Sequence, residues 1–105
     1  MKQYKLIELD CAGEHLRIRS TDPETIQWIL EEIKSIAPQY KVDTANTPLG
    51  HLYFANIYKI GTDVNSFGWM LLTKLSAKGW EPFKSETRSH PWLEIFHLRF
   101  EIAEN

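Results

Sequence analysis

The stretch STDPETIQWILEEIKSIAP, residues 20–38, constrains the fold more than any other part of this chain. Ile26, Ile29, Leu30, Ile33, Ile36 and Ala37 recur at helical spacing and form one apolar stripe, which must be buried against another element. Thr21 followed three residues later by Glu24 fits a capping box. Pro23 suits the first turn and Pro38 marks the end.

The flanking segments supply the sheet that such a helix needs. Residues 2–9 read as a strand, DCAGE (residues 10–14) as a turn, and Leu16 and Ile18 alternate with His15, Arg17 and Arg19 as a half-exposed strand. Residues 39–48 read as a long loop or a loop containing a short strand at 40–42. Residues 49–60, LGHLYFANIYKI, carry apolar residues on both faces and read as a long central strand. A second helix follows the break at 61–63, with Val64, Gly68, Leu71, Leu72 and Leu75 on one face; Gly68 there permits close approach to a sheet. Residues 81–83 begin a short strand and 84–91 form a polar connection. In the closing strand Trp92, Phe96, Leu98, Phe100 and Ile102 make one strongly apolar face.

The order is ββαβαββ. The fold class is α+β, an antiparallel sheet of four to five strands with two helices on one face. If residues 40–42 form a true strand, the order admits a ferredoxin-like variant with an extra hairpin. Residues 1–105 read as a single domain, of a length that supports one hydrophobic core.

A net charge of -2 speaks against a nucleic-acid binder that relies on phosphate contacts. Cys11 is the only cysteine, so no intrachain disulfide forms. Residues 1–8 contain no long apolar stretch, no signal peptide is expected, and no apolar run approaches the length of a membrane span. The expected location is cytoplasmic or nuclear.

Catalytic and metal-binding patterns are absent. Cys11, His15, His51, His90 and His97 form no close ligand pair, so no metal and no cofactor are expected. Cys11 reads as a small buried hydrophobe rather than a nucleophile. The glycines form no phosphate-binding loop, and Glu31 and Glu32, being adjacent on a helix, point in different directions. No catalytic residue is assigned.

Two positions break the amphipathic pattern. Trp28 lies about 200° from Ile26 around the helix, among Glu24, Glu31, Glu32 and Ser35. Trp69 and Met70 fall outside the apolar face of the second helix. One helix–helix contact joining Trp28 to Trp69 and Met70 accounts for both. Otherwise Trp28, Glu31, Trp69 and Met70 are partner-binding candidates, tryptophan being enriched at interaction hot spots. The sheet face away from the helices is a further candidate, with Leu93, Ile95, His97 and Arg99 on the last strand and His51, Tyr53, Ala55 and Ile57 on the middle one. The leading reading is a non-enzymatic protein–protein interaction module or small assembly subunit that binds another protein or a second copy of itself, with the open face as the candidate surface for a homodimer. The alternative is a small-ligand binding domain or enzyme with a pocket between residues 39–48 and strand 51–60, with His51, Tyr53, Arg88 and His90 as its polar groups.

In LSAKGWEPF, residues 75–83, Gly79 suits the left-handed position after a helix and Trp80 the hydrophobic contact of a Schellman ending. The longer segment LLTKLSAKGWEPF, residues 71–83, and the closing EIFHLRFE, with an opening strand that begins Lys2-Gln3-Tyr4-Lys5, resemble the small bacterial DUF4177 domains. The chain departs from them in the capped helix and loop between residues 20 and 48. That family has no assigned activity, so the resemblance implies part of a fold and no catalytic residue.

Overall fold

A strand with one buried face alternates apolar and polar side chains, and β1 and β2 both do so. In the computed structural model, which describes residues 2–13, 15–46, 52–58, 64–89 and 92–103, β1 spans Gln3–Ala12 and β2 spans His15–Ser20. Ile7, Leu9 and Cys11 of β1 pair with Ser20, Ile18 and Leu16 of β2, and all six are buried on one face. Gly13, at φ 59°, opens the reversal between the strands.

Helix α1 runs from Pro23 to Ile36 and buries Ile26, Ile29, Leu30 and Ile33. Its start differs from the expected capping box. The N-cap is Asp22, whose side chain makes no capping hydrogen bond. Thr21 instead serves the sheet: its Oγ1 accepts from Leu6 N at 3.0 Å, and Thr21 N donates to Leu6 O at 3.1 Å. Ser20 Oγ also donates to Leu6 O at 2.8 Å. These two hydroxyl residues satisfy the backbone of β1 where β2 leaves the sheet, so the capping residue is not free for the helix. Ile36, expected in the stripe, is 47% exposed in the last turn.

Strands β3 (Lys41–Asn46) and β4 (Tyr53–Tyr58) follow, then α2 (Val64–Ala77), β5 (Glu81–Ser89) and β6 (Trp92–Ile102). The six strands form one antiparallel sheet in the order β3-β4-β2-β1-β6-β5. Among the described residues the architecture is therefore α+β with two helices, as expected, but with six strands rather than four to five. The order is ββαββαββ: residues 41–46 form one strand more than expected, and the short strand expected from residue 81 continues through the polar segment 84–89. Both of these strands lie at the sheet edges. An edge strand with little burial shows no apolar period in its sequence, which is why neither stands out over its full length. β2 and β3 run parallel with β4 between them, so β2–α1–β3 is a split βαβ unit. The ends of the expected strand 49–60, residues 49–51 and 59–60, lie outside the described residues.

One face of the sheet meets both helices. Phe67, Leu71, Leu72 and Leu75 of α2 join the α1 stripe, the buried face of β1 and β2, and Ala55, Ile57, Phe96 and Leu98 in a continuous core. The side chain of Val64 lies outside the described residues. Gly68 lies against β1: a Cβ there would stand 2.6 Å from Cys11 Sγ. The end of α2 is a Schellman motif, with Trp80 N donating to Leu75 O and Gly79 N to Ser76 O, both at 3.0 Å. Gly79 takes φ 101° and Trp80 is buried, 5.7 Å from the Phe100 ring.

Candidate functional site: an exposed edge and a charged sheet face

The expected contact between Trp28 and Trp69 is not formed. Trp28 faces the end of α2, where Lys78 Nζ lies 4.3 Å from the centroid of its ring. One turn along α1, Glu32 Oε2 binds Lys74 Nζ at 2.5 Å. Trp28 and Glu32, four residues apart, thus meet Lys74 and Lys78, also four apart, and these two contacts join the helices. The signal was present in the sequence as two i,i+4 pairs of matching chemistry, but nothing local says that they face each other. Glu31, between them, is exposed. Met70 is half-buried against the core.

Trp69 lies elsewhere. Its ring meets Phe96 of β6 edge-on, 5.4 Å between centroids, and 59% of the residue remains exposed. Beside it runs β5, at the end of the sheet, exposed along its length except for half-buried Glu86. Among the described residues no strand pairs with its outer edge. Trp69, Leu72, Ser76, Pro82 and Ser85 line a groove of about 510 Å³ between α2 and β5. The register of β5 against β6 shifts between Pro82 and Lys84, and from Lys84 to Ser89 the pairing is regular. Phe83, the extra residue, turns toward the open face, 6.1 Å from the His97 ring.

The open sheet face is strongly charged. Glu8 and Asp10 of β1 lie at a cavity of about 500 Å³ with Arg17 and Arg19 of β2, Lys84, Glu86 and Arg88 of β5, and Ile95 and His97 of β6. Arg19 Nη2 stands 2.6 Å from Glu8 Oε2 and 3.7 Å from Asp10 Oδ2. His97 Nδ1 is 3.7 Å from Glu8 Oε1. Asp10 is only 8% exposed, and among the described residues its Oδ1 has no hydrogen-bond partner. Burial pushes its carboxyl up to about 6; a hydrogen bond to Glu8 and the charge of Glu8 act in the same direction, against Arg19 and Arg17. On the rim, Lys84 Nζ and Arg88 Nη2 lie 3.1 and 3.6 Å from the Glu86 carboxylate.

Leu93, Ile95, His97 and Arg99 belong to this open face, as expected from the alternation of β6. The expected contribution of the middle strand is corrected. Ile57 pairs with Leu16 and Ala55 with Ile18, so Tyr53, Ala55 and Ile57 point to the helices, and Phe54, Asn56 and Tyr58 occupy the open side. The alternative pocket does not assemble from its described members. Tyr53 is on the helix face of β4, and Arg88 is on the open face of β5, four strands away. His51 and His90 lie outside the described residues. Among the described residues no group of three or more His, Cys, Asp or Glu side chains is placed to hold a metal, and no helix is long and apolar enough to cross a membrane.

No protein-family model matches the chain, and no curated protein matches it in sequence.

Proposed function

We propose that this chain is a non-enzymatic protein-interaction module of the cytoplasm or nucleus that docks another protein chain along the edge formed by α2 and β5. The observation that carries the reading is Trp69, 59% exposed beside an edge strand whose outer backbone groups have no strand partner among the described residues. Strand addition supplies affinity through main-chain hydrogen bonds, and an indole next to the added strand supplies an anchor. The open face is the less favourable docking surface. A partner there would have to desolvate Glu8, Arg17 and Arg19 together, and each ion removed from water costs several kcal/mol unless it is fully paired. We keep the DUF4177 resemblance as a proposal for the segment from α2 through Gly79 and Trp80 to β6.

The test is capture of proteins from an extract of the source cell on immobilised full-length chain, comparing wild type with Trp69→Ala. Loss of the captured set, with the melting temperature retained, supports the edge as the docking surface. An unchanged set overturns it.

A small polar ligand in the open-face cavity is the second reading. The buried, unpartnered Oδ1 of Asp10 favours it. A thermal-shift screen of amines and other polar metabolites, in which Asp10→Asn abolishes any stabilisation, is its test; no stabilising compound refutes it.

A further inference from the structure

The outward row of β5 on the open face is Lys84, Glu86, Arg88, opposite His97, Ile95 and Leu93 of β6. Its signs alternate. An edge guarded against self-pairing by charge usually repels its own copy, whereas an alternating row allows antiparallel self-complementarity.

Geometry limits how two copies can pair. Two antiparallel strands related by a two-fold axis perpendicular to the sheet keep the same face on the same side, so the axis must pass through a residue and opposed residues share a face. An axis at Glu86 sets Glu86 against itself and Lys84 against Arg88, all like charges. An axis at Ser85 sets Lys84 against Glu86, but it runs Pro82, which has no N–H, and the bulge at Phe83 into the pairing. An axis at Thr87 uses only the regular part of the strand. It sets Glu86 against Arg88 twice, Ser85 against Ser89 twice, and Thr87 against Thr87, with no like charges among these five pairs. Pro82 and the bulge then stop the ladder at its outer ends, which fixes the register.

On the other side of the joined sheet, Ser85 lies on the rim of the groove lined by Trp69 and Leu72. An axis two residues from Ser85 brings the two grooves to flank it, with one Trp69 on each side.

We infer that the occupant of the β5 edge is a second copy of this chain, paired β5 to β5 antiparallel about a two-fold axis at Thr87 to form one continuous twelve-stranded sheet. This rests on the reading of the α2–β5 edge as a docking surface.

The experiment is sedimentation equilibrium of the full chain with single and compensating charge reversals. Wild type is expected at twice the 12.3 kDa chain mass. Arg88→Glu opposes Glu86 to a glutamate twice, and Glu86→Arg opposes two arginines twice. Each is expected to weaken the dimer on the order of tenfold or more. The double reversal Glu86→Arg/Arg88→Glu restores opposite charges and is expected to restore the dimer. Circular dichroism melts of all three variants show that the monomers are folded. A monomeric wild type at millimolar concentration overturns the inference. So does a dimer indifferent to Arg88→Glu, or a dimer rescued by Lys84→Glu/Glu86→Lys, which identifies the Ser85 axis instead. A monomer that still captures other proteins through Trp69 overturns the second copy as occupant and leaves the docking reading standing; loss of both removes both.

Discussion

Replacing Asp10 by asparagine tests the electrostatics of the open face directly. Asp10 is 8% exposed and has Glu8, Arg17, Arg19 and His97 around the same cavity. Its carboxyl is pushed from the ordinary value of 3.8 to about 6, mainly by burial. A carboxyl whose folded pKa lies above its unfolded value binds more protons folded than unfolded between the two. Stability is therefore highest below about pH 4 for this group, and falls as pH rises through the window to about 6. Each pKa unit corresponds to about 1.36 kcal/mol, so the ionised carboxylate costs up to about 3 kcal/mol at neutral pH. Part of this is recovered as the site relaxes, and about 1–3 kcal/mol is the expected gain for Asp10→Asn at pH 7.5. The amide keeps the shape and donates a hydrogen bond as the protonated acid does. For a domain of this size, about 1 kcal/mol moves the melting temperature by roughly 4–8 °C. Thermal and urea melts of both proteins at pH 4, 5.5 and 7.5 are the assay. The difference between them should be near zero at pH 4 and grow in favour of the Asp10→Asn variant toward pH 7.5. Taking the difference cancels other carboxylates such as Glu81 and Glu86, which hydrogen bonds to Arg99 and Lys84 hold below their ordinary value. A difference that is flat with pH, or a variant less stable than wild type at neutral pH, refutes the reasoning.

Three further outcomes are expected. Gly68→Ala should destabilise by about 1–3 kcal/mol, because its Cβ would lie 2.6 Å from Cys11 Sγ, and adding Cys11→Ala should return part of that loss; urea melts of the two single variants and the double measure the coupling. Gly79→Ala should cost about 1 kcal/mol or more, since it forces a side chain to adopt φ 101° with Phe100 Cε2 only 2.9 Å from the new Cβ, and the loss should appear as a lower melting temperature. Trp28→Ala should lower stability by about 1–3 kcal/mol through loss of the packing under Lys78, whereas Trp69→Ala should cost less than about 1 kcal/mol; equal losses in thermal melts would contradict the placement of the two rings.

The sequence carries local grammar well and non-local pairing poorly, and particular residues show why. The stripe of α1, the Schellman ending at Gly79-Trp80 and the alternation of β6 follow from chemistry within a few residues, and each is legible. β5 is legible only at its start, residues 81–83, because its polar residues from Lys84 to Ser89 are mostly exposed and leave no period to detect. The face of β4 could not be read either. With Tyr53, Phe54, Ile57 and Tyr58 in one run, both parities look apolar, and only the pairing of Ile57 with Leu16 decides between them. The capping box failed for a similar reason, since Thr21 answers to Leu6, fifteen residues back on another strand.

The same distinction separates the two anomalous tryptophans. Trp28 is accounted for by Lys78 on α2, distant in sequence, and its place on a polar helix face reflects packing. Trp69 touches Phe96 and still leaves more than half of its surface to solvent. An indole costs free energy when hydrated in this way, by about 25 cal/mol for each Å² of apolar surface, and the fold offers it no further cover among the described residues. It also stands beside β5, whose register irregularity is confined to one end, with a regular, charge-alternating run at the other. Exposed apolar area, a strand edge without a strand partner among the described residues and a self-complementary charge row are separate observations, and a second copy at this edge satisfies all three at once. The melts of Trp28→Ala and Trp69→Ala therefore bear on function as well as packing: a Trp69 substitution that spares stability but shifts the monomer–dimer equilibrium is what distinguishes a docking indole from a core one.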